Sequence, residues 1–228
     1  MPKQNSFFFD FDSTLVTVES FDEVLKLALE DSEDKINLIK KVEHITDMGM
    51  NGEIDLEESL DLRFQLTEIQ KKNFDFIDST ITQKITPGIK KIIKFLQEKK
   101  QKIFIISGGF LSTILPVAKI LKIPTENCFA NDYFVNEKNI IKGFDKKNPL
   151  VTSDGKNKIL KNLKKDKKCP GKIFFIGDGQ SDLNTYLEKK ADFFYGFGVN
   201  ILRENIKKDA PYFFTNCDDL LKEISQNF

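Results

Sequence analysis

The stretch Ser6–Leu15, SFFFDFDSTL, opens on an unbroken apolar run and ends on two carboxylates, Asp10 and Asp12, two positions apart. A short run without polar alternation is the mark of a strand covered on both faces, as in a parallel sheet between helices. Alternation along a strand sends residues i and i+2 the same way, so Asp10 and Asp12 project together, with Asp12 just past the strand. Two unit charges 4 Å apart repel by about 1 kcal/mol in water and about 4 kcal/mol at an effective dielectric of 20. A pair placed there calls for a compensating charge.

Further runs of the same kind follow: KIFII (102–106), NCFAN (127–131), KIFFIG (172–177), DFFYGF (192–197) and YFFT (212–215). Helical patterns separate them. Thr86-Pro87 reads as a capping residue followed by a first-turn proline, and Ile89, Ile92, Ile93 and Leu96 form the apolar stripe behind it. Pro116 predicts a kink or a late start in FLSTILPVAKIL, and 132–144 reads as a small hairpin. Between the first two strands lie about 85 residues of helical character. Ser20 and Glu23 suggest a capping box ahead of Phe21, Val24, Leu25, Ala28 and Leu29. A second helix begins near Asp55, with Leu56, Leu60 and Phe64 on one face. Arg63 shares that face, either as a snorkelling rim residue or as a guanidinium turned toward an anion in a cleft. The expected fold is a doubly wound α/β core with a mostly parallel sheet (1–15 and 86–228) and a helical cap inserted after the first strand (16–85).

Composition removes several functions. The 35 Lys plus Arg balance 35 Asp plus Glu, which gives no support for nucleic acid or an anionic membrane as partner, and the lysine pairs read as solvated surface. Cys128, Cys169 and Cys217 form no paired motif, so neither a disulfide scaffold nor a zinc ribbon is expected. No apolar run approaches the roughly 20 residues of a membrane span, and the N-terminal residues do not resemble a secretory signal; the expected location is cytoplasmic. His44 is the only histidine. It lies at a predicted helix end away from any nucleophile motif, which leaves the chemistry to carboxylates, lysine, hydroxyls or a metal.

Ligands of an open parallel sheet bind beyond the carboxyl ends of its strands. The first strand is followed there by Asp10 and Asp12, the second by Ser107-Gly108-Gly109, and the fourth by Asp178 through Asp182; Lys156 sits at a helix start just before the fourth. Four acids against one lysine call for a divalent cation, and oxygen-only donors favour Mg2+ over zinc. The glycine pair and Ser107 offer N–H groups and a hydroxyl suited to phosphate, and a carboxylate can attack phosphorus to form an aspartyl-phosphate.

The ordered set DFDSTL, SGG, a lysine and GDGxSD resembles the haloacid dehalogenase superfamily of phosphohydrolases. Over most of the chain, DFDSTLVTVESFDE, MNGEIDLEESLDLRFQL, IISGGF, SDGKNKIL, GDGQSDL and GFGVNILREN resemble the phosphoserine phosphatase family. The resemblance implies Asp10 as nucleophile, Asp12 as general acid and then base, and Lys156 as the cation that steadies the phosphorylated aspartate. It implies Mg2+ held by Asp10, the Asp12 carbonyl and Asp178, with Asp182 in support. Ser107, Gly108 and Ser181 would meet the substrate, Glu19 its ammonium, Arg63 its carboxylate, and Met50 would line the closed pocket. Ser181 departs from the Asn or Thr of many members, and Arg203 is left as either cap-facing or structural. The implied ligand is a small phosphomonoester and the implied assembly a monomer or homodimer. Phosphoethanolamine, phosphocholine or a sugar phosphate are the competing substrates. A non-enzymatic phospho-acceptor module of the receiver type is disfavoured by Asp12 and by the long insertion.

Overall fold

The computed structural model describes residues 4–226 and 228. Its strands are β1 (Ser6–Phe9), β2 (Lys102–Phe110), β3 (Cys128–Asn131), β4 (Tyr133–Val135), β5 (Ile141–Phe144), β6 (Ile173–Gly177), β7 (Phe193–Phe197) and β8 (Tyr212–Phe214). Six of them form one sheet in the order β3-β2-β1-β6-β7-β8, every pair parallel, while β4 and β5 form an antiparallel hairpin. All six apolar runs became strands of the sheet, and 132–144 is the expected hairpin. β1 lies between β2 and β6, so the chain leaves it in opposite directions on its two sides, and Asp10 opens onto that switch point.

In-register parallel pairing stacks the phenylalanines. Phe7, Phe174 and Phe193 are register partners across β1, β6 and β7, and their rings stack at 4.6 Å with 7° between planes. That distance is close to the strand spacing itself. On the opposite face Phe8 stacks on Phe104 at 4.5 Å. Alternation thus builds two cores, one around Phe7, Phe9 and Ile105, the other around Phe8, Phe104 and Phe175.

The helices are α1 (Ser20–Ala28), α2 (Lys35–Asn51), α3 (Leu56–Phe64), α4 (Lys71–Thr80), α5 (Ile89–Glu98), α6 (Leu111–Ile120), α7 (Gly155–Lys165), α8 (Gln180–Leu187), α9 (Glu204–Asp209) and α10 (Cys217–Ser225). The segment carrying α1–α4 departs and returns side by side, with Val16 bridged to Ile85 and hydrogen bonds from Thr17 N–H to Lys84 O and from Thr86 N–H to Leu15 O. Its inner helices join the sheet through an aromatic cluster of Phe21, Phe74 and Phe110. Among the described residues no helix is long and apolar enough to cross a membrane.

Several local expectations fail for tertiary reasons. The Ser20/Glu23 capping box does not form: Glu19 is the N-cap of α1, because the Asp12 carboxylate takes the Ser20 N–H at 2.7 Å. Thr86 does not cap α5; its hydroxyl donates to Thr14 O at 2.9 Å, and the helix starts after Gly88, whose φ of 94° needs glycine. Pro116 does not delay α6, which runs from Leu111 with the proline inside it. His44 is exposed in the middle of α2 rather than at its end. Ser107–Gly109 belong to the irregular last part of β2 rather than to a turn.

Candidate active site

The turn after β1 fixes the two leading carboxylates. Phe11–Leu15 is a tight loop closed by Val16 N–H donating to Phe11 O at 3.1 Å, with Ser13 in the left-handed region at φ 51°. It leaves Asp10 and Asp12 buried. Lys156, on the first turn of α7, reaches Asp10 Oδ1 at 3.0 Å and Asp182 Oδ1 at 2.5 Å. Asp182 lies folded over β6: its Oδ2 accepts the Gly179 N–H at 3.0 Å, and a Cβ on Gly177 would stand 2.4 Å from its Cγ. Asp178 accepts from Thr14 Oγ1 at 3.0 Å and from Arg203 Nε at 3.2 Å.

Burial sets the protonation of this cluster. It pushes Asp12 well above the usual carboxylate range, reinforced by the charge of Glu19. It raises Asp178 similarly, with Glu19 and Asp10 adding to the effect. Asp182 is pushed up to about 7 by burial and Asp10, against the pull of Lys156. Burial alone would lower Lys156, but Asp10 and Asp182 outweigh it and hold the amine charged.

Oxygens of Asp10, Asp178 and Asp182 all lie within 4.8 Å of one another. Three buried carboxylates with no soft donor among them fit a hard divalent cation. Two basic groups, Lys156 and Arg203, stand against Asp10, Asp12, Glu19, Asp178 and Asp182, so ionising all five acids would leave the site short of positive charge, which a cation would supply. The Asp12 carboxylate stands outside this trio, committed to Ser20.

A cavity of about 160 Å3 opens in front of the cluster, smaller than the roughly 300–1,000 Å3 of clefts for drug-sized ligands. Asp10, Asp12, Ser107, Gly108, Lys156 and Ser181 form its wall from the core, and Glu19, Met50 and Arg63 line it from the helical segment. Asp178 and Asp182 are buried and do not line it. The residues expected to act on substrate thus line one cavity, and Asp178 and Asp182 join Asp10 in one carboxylate cluster. The close fit of the glycines is steric: a Cβ on Gly108 would meet Leu56 at 2.5 Å and one on Gly109 would meet Asp12 Oδ2 at 2.9 Å.

Arg63 is buried, which removes the snorkelling reading. Its Nη1 donates to Asp22 Oδ1 at 2.9 Å and Thr46 Oγ1 at 3.0 Å, its Nε donates to Ser59 O at 3.2 Å, and its guanidinium lies 5.1 Å from the centre of the Phe21 ring. Asp22 was not anticipated; its signal was an acid bordering the apolar stripe of α1. Glu19 accepts from Ser13 Oγ at 2.7 Å and is raised to about 7, chiefly by burial and then by Asp22. Arg203, undecided from sequence, joins Asp178, Glu19 at 3.5 Å and Asp47 at 3.2 Å; only the tertiary structure brings those three acids to one guanidinium.

The family model of the haloacid dehalogenase-like hydrolases matches residues 5–185. The chain belongs to the haloacid dehalogenase-like hydrolases. Human phosphoserine phosphatase is 35% identical to this hydrolase over 222 residues, which is 96% of this chain and 92% of the human protein. A phosphoserine phosphohydrolase-like protein from Francisella tularensis superposes with a TM-score of 0.86 at 31% identity, covering 97% of this chain and all of the other. A phospho-aspartyl intermediate analogue of phosphoserine phosphatase superposes with a TM-score of 0.77 at 25% identity, covering 97% and 99%. Membership makes the chain a hydrolase and sets aside the receiver reading.

Proposed function

We propose that this hydrolase converts O-phospho-L-serine and water into L-serine and phosphate through a phosphorylated Asp10. One observation carries the reading: a single small cavity is lined both by Asp10, Asp12 and Lys156 and by Glu19 and Arg63. That set of groups matches a substrate carrying both a phosphate and a zwitterion. The similarity to phosphoserine phosphatases along nearly the whole chain supports it further.

In this reading an Asp10 oxygen attacks phosphorus as the bond from phosphorus to the serine oxygen breaks. Asp12, whose carboxyl burial pushes above the usual carboxylate range, gives its proton to that departing oxygen. The resulting carboxylate then takes a proton from water, which attacks the phosphorylated Asp10 and releases phosphate. Lys156 offsets charge at Asp10 throughout, and Ser107 and Gly108 hold the phosphoryl oxygens. Asp10, Asp178 and Asp182, with the Asp12 carbonyl, would hold Mg2+, which supplies charge neutralisation of the phosphoryl group. Glu19 takes the ammonium and Arg63 the carboxylate, with Met50 and Ser181 as walls. Residues 16–85 act as a cap over a core of 1–15 and 86–228 and shut out bulk water. The cavity volume favours a free small molecule over nucleic acid, and a cytoplasmic monomer or homodimer is the setting proposed.

Phosphoethanolamine, phosphocholine and sugar phosphates remain the rival substrates, and buried Arg63 argues against them, since none carries a carboxylate to meet it. The test is phosphate release over a panel of these esters, before and after chelation of Mg2+. Phosphoserine is expected to be the best substrate, with release lost on chelation and in Asp10→Asn. Undiminished release after chelation, or a preference for phosphocholine, overturns the reading.

A further inference from the structure

The hydrogen bonds behind the phosphate wall lead to Asn131, the last residue of β3, which is fully buried and outside the cavity. Its Nδ2 donates to Gly108 O at 2.9 Å and to Leu150 O at 3.4 Å, while its Oδ1 is buried without a partner. A buried acceptor left unpaired is costly, so the two donor bonds are what hold this amide in place. The Gly108 carbonyl and the Gly109 N–H are opposite ends of one planar trans peptide, and fixing the first aims the second. That N–H donates to Ser107 Oγ at 2.9 Å. With its oxygen already accepting, the Ser107 hydroxyl keeps its own proton to donate into the cavity that it lines. The second bond reaches the turn on which α7 begins: a Cβ on Gly155 would stand 2.7 Å from Leu150 Cα, and the next residue is Lys156.

We infer that Asn131 is a positioning residue for phosphate, aiming the Ser107 hydroxyl through the Gly108–Gly109 peptide and fixing that wall relative to Lys156. The inference rests on the reading of Ser107 as a phosphate-binding residue. It is tested by titrating inorganic phosphate calorimetrically into the Mg2+-supplemented full chain, in a cycle of Asn131→Asp, Ser107→Ala and the double variant, with thermal melting to verify folding. Asn131→Asp keeps the shape but removes the two-pronged donor, since even a protonated carboxyl offers only one. Each single variant is expected to weaken phosphate by about tenfold, and the double variant to be no more than about twofold weaker than Ser107→Ala, because the two act in series. Unchanged affinity in Asn131→Asp, a loss of about a hundredfold in the double variant, or no phosphate binding by the unaltered protein overturns the inference. If Asn131→Asp does not fold, Asn131→Ser, whose shorter hydroxyl cannot span both carbonyls, replaces it in the same cycle. Should the unaltered protein bind phosphate yet fail to hydrolyse phosphoserine, the substrate reading falls while this inference is still decided by the cycle.

Discussion

Asp12 and Arg63 show how burial gives a side chain its task. Asp12 is two positions from Asp10, yet its carboxylate faces Ser20 rather than Lys156, and burial keeps it above the usual carboxylate range. A group so placed is suited to give a proton and then recover one. Asp12→Asn is expected to lower kcat by about 10²–10⁴ with a smaller change in KM, as steady-state phosphate release would record; an unchanged kcat removes Asp12 from proton transfer. Arg63 bears on specificity instead. Asp22, Thr46 and Ser59 already occupy its Nε and Nη1, so the guanidinium is held rigidly at the cavity wall. Arg63→Lys keeps the charge beside Asp22 but loses the planar fork. It is expected to raise KM for phosphoserine at least about tenfold, the scale of one or two charge-assisted hydrogen bonds, while leaving p-nitrophenyl phosphate within about twofold. Equal losses on both esters contradict recognition of the carboxylate. Complete truncation is a poorer probe, because an unpaired buried Asp22 costs about 3–5 kcal/mol.

At the scale of elements, the helical segment is not uniformly attached. α1 and α4 share the aromatic cluster with Phe110 of β2, and α4 is tied to the hairpin through the Gln70–Ile140 bridge. α3 belongs to the same cluster, its Phe64 packing on Phe21, Phe110 and Phe144 and its Arg63 pairing with Asp22 of α1 in a buried contact, while α2 reaches the core through Asp47, which pairs with Arg203. The Asp47–Arg203 pair, exposed on one side, contributes less than a buried aromatic cluster, so α2 is held to the core less firmly than α1, α3 and α4. β6 shows the opposite case, an element whose end has no slack. Gly177→Ala would drive a methyl into Asp182, and overpacking of this sort costs about 1–3 kcal/mol. The expected outcome is a Tm lower by several degrees together with weaker Mg2+ dependence of phosphate release, since Asp182 and Lys156 move as a pair. A variant with unaltered melting and activity would show that the strand end can yield.

For the whole molecule the consequence is a stability that depends on pH and cation together. Asp12, Glu19, Asp178 and Asp182 all have folded-state pKa values above their ordinary ones, burial first among the causes. A raised group contributes its stability fully below its unfolded pKa and loses it as pH rises through the folded value. Glu19 and Asp182, both at about 7, place much of that loss between about pH 5 and 8. The chelated protein is therefore expected to melt at progressively lower temperature across that window. At pH 8, Mg2+ at 100 times its Kd adds about 2.7 kcal/mol, a Tm gain of about 5–10 °C for a chain of this size. Melting curves that are flat in pH under chelation and indifferent to Mg2+ would contradict the charge balance described for the site.

The sheet was legible in the chain because each strand was a short apolar run whose neighbours alone fix its character, and the chemistry was legible because strand ends collect at one edge of a parallel sheet. Asp10, Ser107, Lys156 and Asp178 could thus be placed together from their positions after strands or at a helix start. What no local pattern carried was the choice of partner. Ser20 looked like a cap and became a donor to Asp12; Thr86 looked like a cap and became a tether for the Phe11–Leu15 turn. Arg203 met Asp178, Glu19 and Asp47 from three distant parts of the chain, and Asp22 met Arg63 across 41 positions. The sequence by itself determined the order of strands and helices and which functional groups stand at the sheet's edge, since periodicity and spacing are short-range properties. The tertiary structure alone decided which donor each buried acid received, because in a dry interior an unpaired group takes whichever partner the packing of remote elements brings within reach.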